Sequence, residues 1–362
     1  MMTLSKLCTL ASGVLLATSL SFNAHAKETY KIAWTIYAGT MPLGYAQDHQ
    51  ILKKWGDKFG FNLEAVQLND YIEAQTQFTA GSFAGSVAIT LDALTIPAGS
   101  GVDTTVLAPL STSMGSDGIV LRGKGKTVAD LKGKSINLVE LSGSHYMLAR
   151  ALDTVGLSER DVNIINTSDS DIGSIFFDSS AEAVATWKPQ LSEILTQFPD
   201  STLVFDSSDI AGEIVDQLIV HTALLKKEPN LGKAIIGAWY ETIAMLEPSH
   251  PKHNEIMAYM SNALNTDQAN LKSQLSTIDF FNPKTAQTYI KSNSFKQSLK
   301  DISTFAFAHG LLGDNVPDAG YIGMEAGDGT LIGNSNNIKL RFSDTWISPW
   351  ADKFNTPALV KE

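Results

Sequence analysis

The ends of the predicted strands carry polar and aromatic side chains whose types could hold a small ligand. Four are carboxylic acids, whereas Lys188 is the one basic residue beside them; the set is Trp34, Tyr37, Thr90, Asp92, Asp117, Glu140, Ser142, Ser144, His145, Trp187 and Asp216. An anion buried among carboxylates is disfavoured, since anion sites need Arg, Lys or bare helix N-termini. A planar cation or polyamide donor would satisfy the carboxylates and stack on Trp or Tyr, so the set favours a guanidinium-like or urea-like ligand.

Several of these residues have a second interpretation. Trp34 and Trp187 could equally lie in the core, and Asp92 could cap a helix through its carboxylate. The other acids could be solvated loop residues, although Glu140, just past an apolar strand and before a Gly-Ser turn, is better placed. His145 opens a predicted helix and could simply lie at the surface.

Motifs of known enzyme classes are incomplete in this chain. Residues 118–125 resemble the start of a P-loop, but a glycine stands where Ser or Thr would hold Mg²⁺. Residues 169–180 resemble a calcium loop, but the twelfth position is a serine. The histidines of residues 250–253 flank a proline, and residues 142–145 place hydroxyls beside a histidine without a nucleophile elbow. We therefore expect no enzymatic activity, metal or cofactor, with an exported enzyme as the alternative.

The elements that must position these side chains follow an alternating order. Short apolar strands and amphipathic helices alternate over residues 31–110, with one long helix at 43–59, in the order βαβαβαβ. That order predicts a parallel sheet with right-handed crossovers. The alternation restarts after the serine-rich residues 111–113, and long helices follow from Pro229. Residues 320–333 look like a loop.

Two successive α/β units joined by short crossings predict two lobes. We expect lobe 1 to comprise residues 27–112 and 213–362, and lobe 2 residues 113–212. Ligands of open parallel sheets bind beyond the carboxyl ends of the strands. The sequence therefore predicts an α/β fold with parallel-rich sheets flanked by helices and a hinged cleft between the lobes.

The charge and the first residues indicate where the chain works. With 27 basic and 38 acidic residues among 362, the formal charge is −11, which excludes nucleic acids and anionic lipid surfaces as partners.

Residues 1–26 resemble a secretory signal peptide, with Lys6, an apolar stretch and a small-x-small site at residues 24–26. A retained membrane anchor is the alternative. The single cysteine, Cys8, would leave with that peptide, so we expect a periplasmic protein without thiols.

Several short segments together resemble one known family. They are Tyr30-Lys31-Ile32-Ala33-Trp34, Gly44-Tyr45-Ala46, Ile89-Thr90-Leu91-Asp92, Thr127-Val128-Ala129-Asp130-Leu131-Lys132-Gly133-Lys134, Ser142-Gly143-Ser144-His145 and Ala185-Thr186-Trp187-Lys188-Pro189. Over about residues 30–310 the chain resembles the nitrate/sulfonate/taurine family of ABC-transporter substrate-binding proteins. Within it, the chain is most similar to the branch found beside urea carboxylase. Residues 81–86 depart from the family, which usually carries an acid before the third strand.

The resemblance implies a type II periplasmic binding protein that closes on a small nitrogen-rich solute, guanidine or urea-like. It also implies an inner-membrane ABC permease as partner, and we expect a monomer. An anionic solute such as a sulfonate, taurine or nitrate is the alternative on the same fold, supported by Lys188 and by helix N-termini.

Overall fold

The structure is a computed structural model that describes residues 27–178, 181–313 and 315–351. The predicted signal peptide at residues 1–26 lies outside the described residues. Within the described ranges, no helix combines the length and the apolar composition needed to cross a membrane.

The described strands form two mixed sheets. The larger sheet has the order β13-β12-β14-β4-β10-β3-β1-β2, with β11 paired to β4. Its strands are β1 (Thr29–Thr35), β2 (Asn62–Leu68), β3 (Gly85–Ile89), β4 (Thr104–Ser113), β10 (Val215–His221), β11 (Ile278–Phe280), β12 (Gly323–Glu325), β13 (Leu331–Ile332) and β14 (Ile338–Phe342). The smaller sheet has the order β7-β6-β8-β5-β9. Its strands are β5 (Asp117–Leu121), β6 (Ser135–Leu138), β7 (Asn163–Asn166), β8 (Ala183–Trp187) and β9 (Thr202–Asp206).

Helices flank both sheets. They are α1 (Met41–Asp48), α2 (Ile51–Phe59), α3 (Tyr71–Thr79), α4 (Thr90–Ala93), α5 (Gly143–Asp153), α6 (Ile172–Phe177), α7 (Gln190–Gln197), α8 (Thr222–Lys227), α9 (Pro229–Ile243), α10 (His253–Ala263), α11 (Gln268–Leu275), α12 (Pro283–Lys291), α13 (Asn293–Ala308) and α14 (Ser348–Ala351). The α9 helix packs against α1, α2 and β4, and it buries Trp239 and Tyr240 completely. This packing gives the larger sheet a deep apolar core on one face.

The strand order corrects the expectation of an all-parallel first sheet. Strands β1, β2 and β3 are parallel, but β10 lies between β3 and β4 and runs antiparallel to both. The chain therefore returns late to complete the sheet that its first hundred residues begin. This return places Asp216 opposite Ile89 and Ser111.

Two local predictions also need correction. The helix predicted at residues 43–59 is two helices, because Gln50 adopts the left-handed conformation with φ 59° and redirects the chain between α1 and α2. The segment 320–333, predicted as a loop, contains β12 and β13. These strands have three and two residues, too few for an alternating pattern to be recognised.

The chain crosses between the sheets twice, from β4 to β5 and from β9 to β10. Ser207 of the second crossing contacts the first crossing. Its hydroxyl lies 2.7 Å from the Ser113 hydroxyl and accepts a hydrogen bond from the Gly115 N–H at 2.7 Å. The larger sheet takes its described strands from residues 29–113 and 215–342, and the smaller sheet from residues 117–206. The division into two lobes at residues 112 and 212, and the movement of the lobes as separate bodies, stay predictions.

Candidate ligand-binding site

A cavity of about 60 Å³ lies between the two sheets, and we call it the intersheet cavity. Both sheets and their connecting segments contribute to its lining. The lining residues are Thr35, Tyr37, Thr40, Tyr71, Val87, Ile89, Asp92, Ser113, Asp117, Ser142, Gly143, Ser144, Trp187, Ile214 and Asp216. None of these described lining residues is Lys, Arg or His, and three are aspartic acids.

Asp92 is the most deeply buried of the three acids, with no exposed surface. It lies in the first turn of α4, directly after β3. The Tyr71 hydroxyl donates to Asp92 Oδ2 at 2.7 Å, whereas Asp92 Oδ1 has no hydrogen-bond partner among the described residues. Burial raises the pKa of Asp92 to about 7, against the opposing effect of the Tyr71 hydrogen bond. A buried acceptor without a partner is the kind of atom that a bound donor would satisfy.

Asp117 and Asp216 lie at the two crossings between the sheets. Each accepts one serine hydroxyl: Ser113 donates to Asp117 Oδ2 at 2.5 Å, and Ser111 donates to Asp216 Oδ2 at 2.6 Å. Burial raises the pKa of Asp117 to about 6. Burial, and then the charge of Asp117, raises the pKa of Asp216 to about 7. The floor of the cavity thus holds two acids that would gain from a positive charge between them.

Tyr37 is enclosed beside these acids. Burial, and then the charges of Asp216 and Asp117, raises the pKa of the Tyr37 hydroxyl well above its ordinary value. The hydroxyl therefore stays neutral and can donate or accept a hydrogen bond.

The smaller sheet contributes the first turn of α5. Ser142 caps this helix by accepting the Ser144 N–H at 3.2 Å, and its own hydroxyl donates to Val139 O at 2.7 Å. The Ser144 hydroxyl is buried and has no hydrogen-bond partner among the described residues. Asp92 Oδ1 and Ser144 Oγ are therefore two unpartnered polar atoms in lining residues from opposite sides of one cavity.

Two aromatic rings complete the cavity. Trp187 ends β8 and pairs with Asp117 across the smaller sheet. The Trp187 ring packs edge-on against Tyr71 of the larger sheet, with ring centroids 6.0 Å apart. The pair closes one side of the cavity with π surface, which suits a planar or cationic ligand.

Seven of the residues predicted from the sequence line the intersheet cavity, and four do not. Those that line it are Tyr37, Asp92, Asp117, Ser142, Ser144, Trp187 and Asp216. Those that do not are Trp34, Thr90, Glu140 and His145. Lys188 does not line it either, because its Nζ donates to Thr277 Oγ1 at 3.1 Å.

Trp34 and Thr90 have structural roles instead. The Trp34 ring is buried against Gly44 of α1, where a Cβ atom would lie 2.9 Å from the ring. The Thr90 hydroxyl accepts a hydrogen bond from Gln217 Nε2 at 2.9 Å inside the larger sheet. Trp34 is therefore a core residue, and the strand end that precedes α4 contributes Asp92 rather than Thr90.

Glu140 and His145 face away from the cavity. Glu140 is exposed, and the backbone, not the carboxylate, makes the bond to Asn166 Oδ1 at 3.0 Å. His145 Nδ1 accepts the Leu141 N–H at 3.0 Å, and its Nε2 lies 2.5 Å from Glu159 Oε1. His145 thus holds the turn before α5, while the serines beside it face the cavity.

Sequence reasoning missed Tyr71 and Ser113. Tyr71 stands three residues after β2, so the rule that binding side chains follow strand ends could have identified it. Ser113 ends β4 at the crossing, where the serine-rich residues 111–113 predict a connection between the two α/β units. In the described part of the chain, no three His, Cys, Asp or Glu side chains come together to hold a metal ion.

Comparison with known proteins assigns the family. Residues 60–252, more than half of the chain, match the model described as NMT1/THI5 like, and the chain belongs to this NMT1/THI5-like family. A protein of Brucella abortus (strain 2308) named as a candidate binding protein is 25% identical over 161 residues, which are 44% of this chain. The chain spans about half the length of the curated relatives it matches.

Two solved structures share the fold. The alkanesulfonate-binding protein SsuA from Xanthomonas axonopodis pv. citri bound to MOPS has a TM-score of 0.67 at 18% identity, covering 80% of this chain and 96% of that chain. The periplasmic nitrate-binding protein NrtA from Synechocystis PCC 6803 has a TM-score of 0.65 at 12% identity, covering 91% and 90%. The predicted α/β periplasmic-binding-protein fold is therefore confirmed. The likeness to the urea branch stays a prediction.

Proposed function

We propose that this chain is the substrate-binding component of an ABC importer and works in the periplasm. It captures a small nitrogen-rich solute, guanidinium or a urea-like compound, between two closing lobes and delivers it to an inner-membrane permease. The observation that carries the proposal is the intersheet cavity with two buried acids, Asp92 and Asp117, one half-buried acid, Asp216, and no basic lining residue. The family and the binding-protein names of its relatives support the transport role.

The charge of the cavity favours a cation or a rich hydrogen-bond donor. Asp92, Asp117 and Asp216 are desolvated, and none of the three is ion-paired within the described residues. A buried carboxylate without a cation tends to take up a proton, and a ligand cation can replace that proton. Guanidinium offers N–H donors in one plane and a positive charge, so it can satisfy Asp92 Oδ1 while it lies against Trp187.

The size of the cavity favours a ligand of few atoms. Its volume is about 60 Å³ on a measure in which one water needs roughly 10–15 Å³, so it holds about four to six water-sized groups. Guanidinium and urea, with four non-hydrogen atoms each, fit this space. Nitrate also has four non-hydrogen atoms, so size favours small ligands over a sulfonate but does not separate guanidinium and urea from nitrate.

The mechanism is a shift of population between open and closed forms. A ligand that contacts Asp92 from one sheet and Ser144 from the other is fully bound only when the walls approach each other. Its differential affinity for the closed form is what drives closure. We propose that the chain binds the solute without converting it, so turnover of any candidate by the purified protein would contradict this role.

An anionic solute such as a sulfonate, taurine or nitrate is the second candidate. It is favoured by the first turn of α5 at the cavity and by the ligands named for the two similar structures. The three acids would then have to be protonated in the complex. Affinity for an anion should therefore rise as the pH falls, opposite to the behaviour of a cation.

A thermal-shift screen at constant ionic strength tests the proposal. The compounds are guanidinium, urea, a short amide, taurine and nitrate. A ligand present at about 100 times its dissociation constant adds roughly 2.7 kcal/mol to the free energy of unfolding, which raises the unfolding midpoint by several degrees. A rise with guanidinium or urea supports the proposal. A rise with taurine or nitrate alone would replace it with the second candidate.

A further inference from the structure

Residues that follow strands of the two sheets meet beside the intersheet cavity, and we call this the edge contact. Asp70 and Tyr71 follow β2, and Ser168 and Asp169 follow β7. The Ser168 hydroxyl donates to Asp70 Oδ2 at 3.1 Å. The same hydroxyl lies 3.4 Å from Asp169 Oδ1, and Asp169 is 7% exposed. The contact between Ser168 and Asp70 must break before the two sheets can separate on this side.

Tyr71 connects this contact to the cavity. It directly follows Asp70 in the chain, its hydroxyl donates to Asp92, and its ring packs against Trp187. Trp187 ends β8 and residues 168–169 follow β7, so both stand on the side of the smaller sheet. Separation of the two sheets at the edge contact would therefore also part the Tyr71 and Trp187 rings in the ligand site.

The contact also contains a repulsive pair. Asp70 caps α3 by accepting the Glu73 N–H at 2.7 Å, and its other oxygen faces residues 168–169. The pKa of Asp169 is raised to about 6, first by burial and then by the charge of Asp70. No ion pair joins a basic side chain to either acid within the described residues. Closure therefore brings two carboxylates together without a cation to offset their repulsion.

We propose that residues 70–71 and 168–169 form a latch over the ligand site, in which repulsion between Asp70 and Asp169 keeps closure weak enough for release. This inference rests on the proposed capture between closing lobes. The latch acts on the residence time of the ligand, since Asp70 and Asp169 do not line the cavity. The latch controls how closely the two sides of the cavity approach each other, whichever ligand is bound.

Two substitutions separate the attraction from the repulsion. Asp70→Asn keeps the helix cap through its one amide oxygen, and its NH2 group can donate to the Ser168 hydroxyl oxygen in place of the second carboxylate oxygen. The contact is kept while the charge is removed, so ligand dissociation should slow by about fivefold. Ser168→Ala removes the hydroxyl donor, so dissociation should speed up by roughly two- to tenfold. Asp171→Asn is the matched control, because Asp171 is an exposed acid two residues from Asp169 whose side chain does not cap α6. It should leave the rate unchanged.

A distance measurement without ligand separates failure of the latch from failure of the proposed ligand. Spin labels at Thr76→Cys on α3 and Ser174→Cys on α6, in a Cys8→Ser background, report the separation of the two sides. Asp70→Asn should raise the short-distance fraction, and Ser168→Ala should lower it. No change in either variant, or the same change in Asp171→Asn, would overturn the latch. A shift in Asp70→Asn without any response to guanidinium or urea would support the latch and count against the proposed ligand class.

Discussion

Gly143 at the start of α5 lies so close to Ile89 at the end of β3 that a Cβ atom at position 143 would sit 2.7 Å from Ile89 Cδ1. The two residues belong to opposite walls of the intersheet cavity. A side chain at position 143 would require the terminal methyl group of Ile89 to move, because the backbone of one wall contacts a side chain of the other. The approach of the walls is therefore sensitive to one added methyl group.

Gly143→Ala should oppose closure. The added methyl would meet Ile89 Cδ1, which can turn aside only at the cost of its present packing, so the cost should lie near the lower end of overpacking, about 1 kcal/mol, and ligand affinity should fall roughly fivefold. Ile89→Val removes the contacting atom, and the double variant should regain most of the affinity in calorimetric titrations. Wild-type affinity in Gly143→Ala, or no rescue in the double variant, would show that the walls need not approach as described.

The pH dependence of binding should identify the charge of the ligand. The carboxyl pKa values are raised to about 7 for Asp92 and Asp216 and about 6 for Asp117, in each case first by burial. These groups are neutral below their pKa values, whereas a bound cation favours the charged forms. Guanidinium affinity should be full above about pH 8 and fall on acidification through 7 and 6, by up to about tenfold per pH unit for each proton displaced. Titrations across this range that show flat or rising affinity on acidification would contradict a cationic ligand.

Asp92→Asn should stabilise the ligand-free protein at alkaline pH. A carboxyl whose pKa is raised by folding contributes stability at low pH, and this contribution is lost as the pH rises towards 7. Asparagine keeps the acceptor for the Tyr71 hydroxyl but carries no charge. The midpoint of thermal unfolding should therefore exceed that of wild type by a few degrees at about pH 8, and the two should converge near about pH 4. Equal midpoints at both pH values would mean that Asp92 is not desolvated.

Trp187 and Trp34 should respond differently to the same substitution. Trp187→Leu removes a π surface from the cavity and should weaken guanidinium binding by about 2- to 30-fold, corresponding to roughly 0.5–2 kcal/mol. Trp34→Leu leaves the cavity lining intact but removes packing against Gly44, so it should lower the unfolding midpoint instead. The opposite pattern, measured by calorimetry and thermal unfolding, would reassign Trp34 to the site.

The sequence predicts a site residue correctly only where it also shows the direction in which the strand and its side chains point. Asp92 and Trp187 are predictable because Asp92 follows β3, Trp187 ends β8, and the carboxyl ends of both strands meet at the cavity. Glu140 also follows a strand, but it projects outwards, and the next turn brings Ser142 inwards. Trp34 faces α1. Side chains alternate between the two faces of β1, and the sequence does not show which face meets the ligand.

Asp216 is among the predicted site residues, but the sequence does not show how it reaches the cavity. It is the second residue of β10 and so lies near the amino end of that strand. In an all-parallel sheet, this end would lie on the side opposite the cavity. It reaches the cavity because β10 runs antiparallel between β3 and β4. Strand neighbours of this kind depend on contacts between distant parts of the chain, which a pattern of local periodicity does not contain.

The most direct test of an acid-lined cation site is calorimetric titration of guanidinium into wild type, Asp92→Asn and Glu140→Gln at about pH 8 and constant ionic strength. Glu140→Gln is the matched control, since it removes one acid from the exposed side of the same region. We expect saturable one-site binding in wild type and in Glu140→Gln, with affinity reduced at least about tenfold in Asp92→Asn. Unchanged affinity in Asp92→Asn, or no binding to wild type, would contradict the cation site.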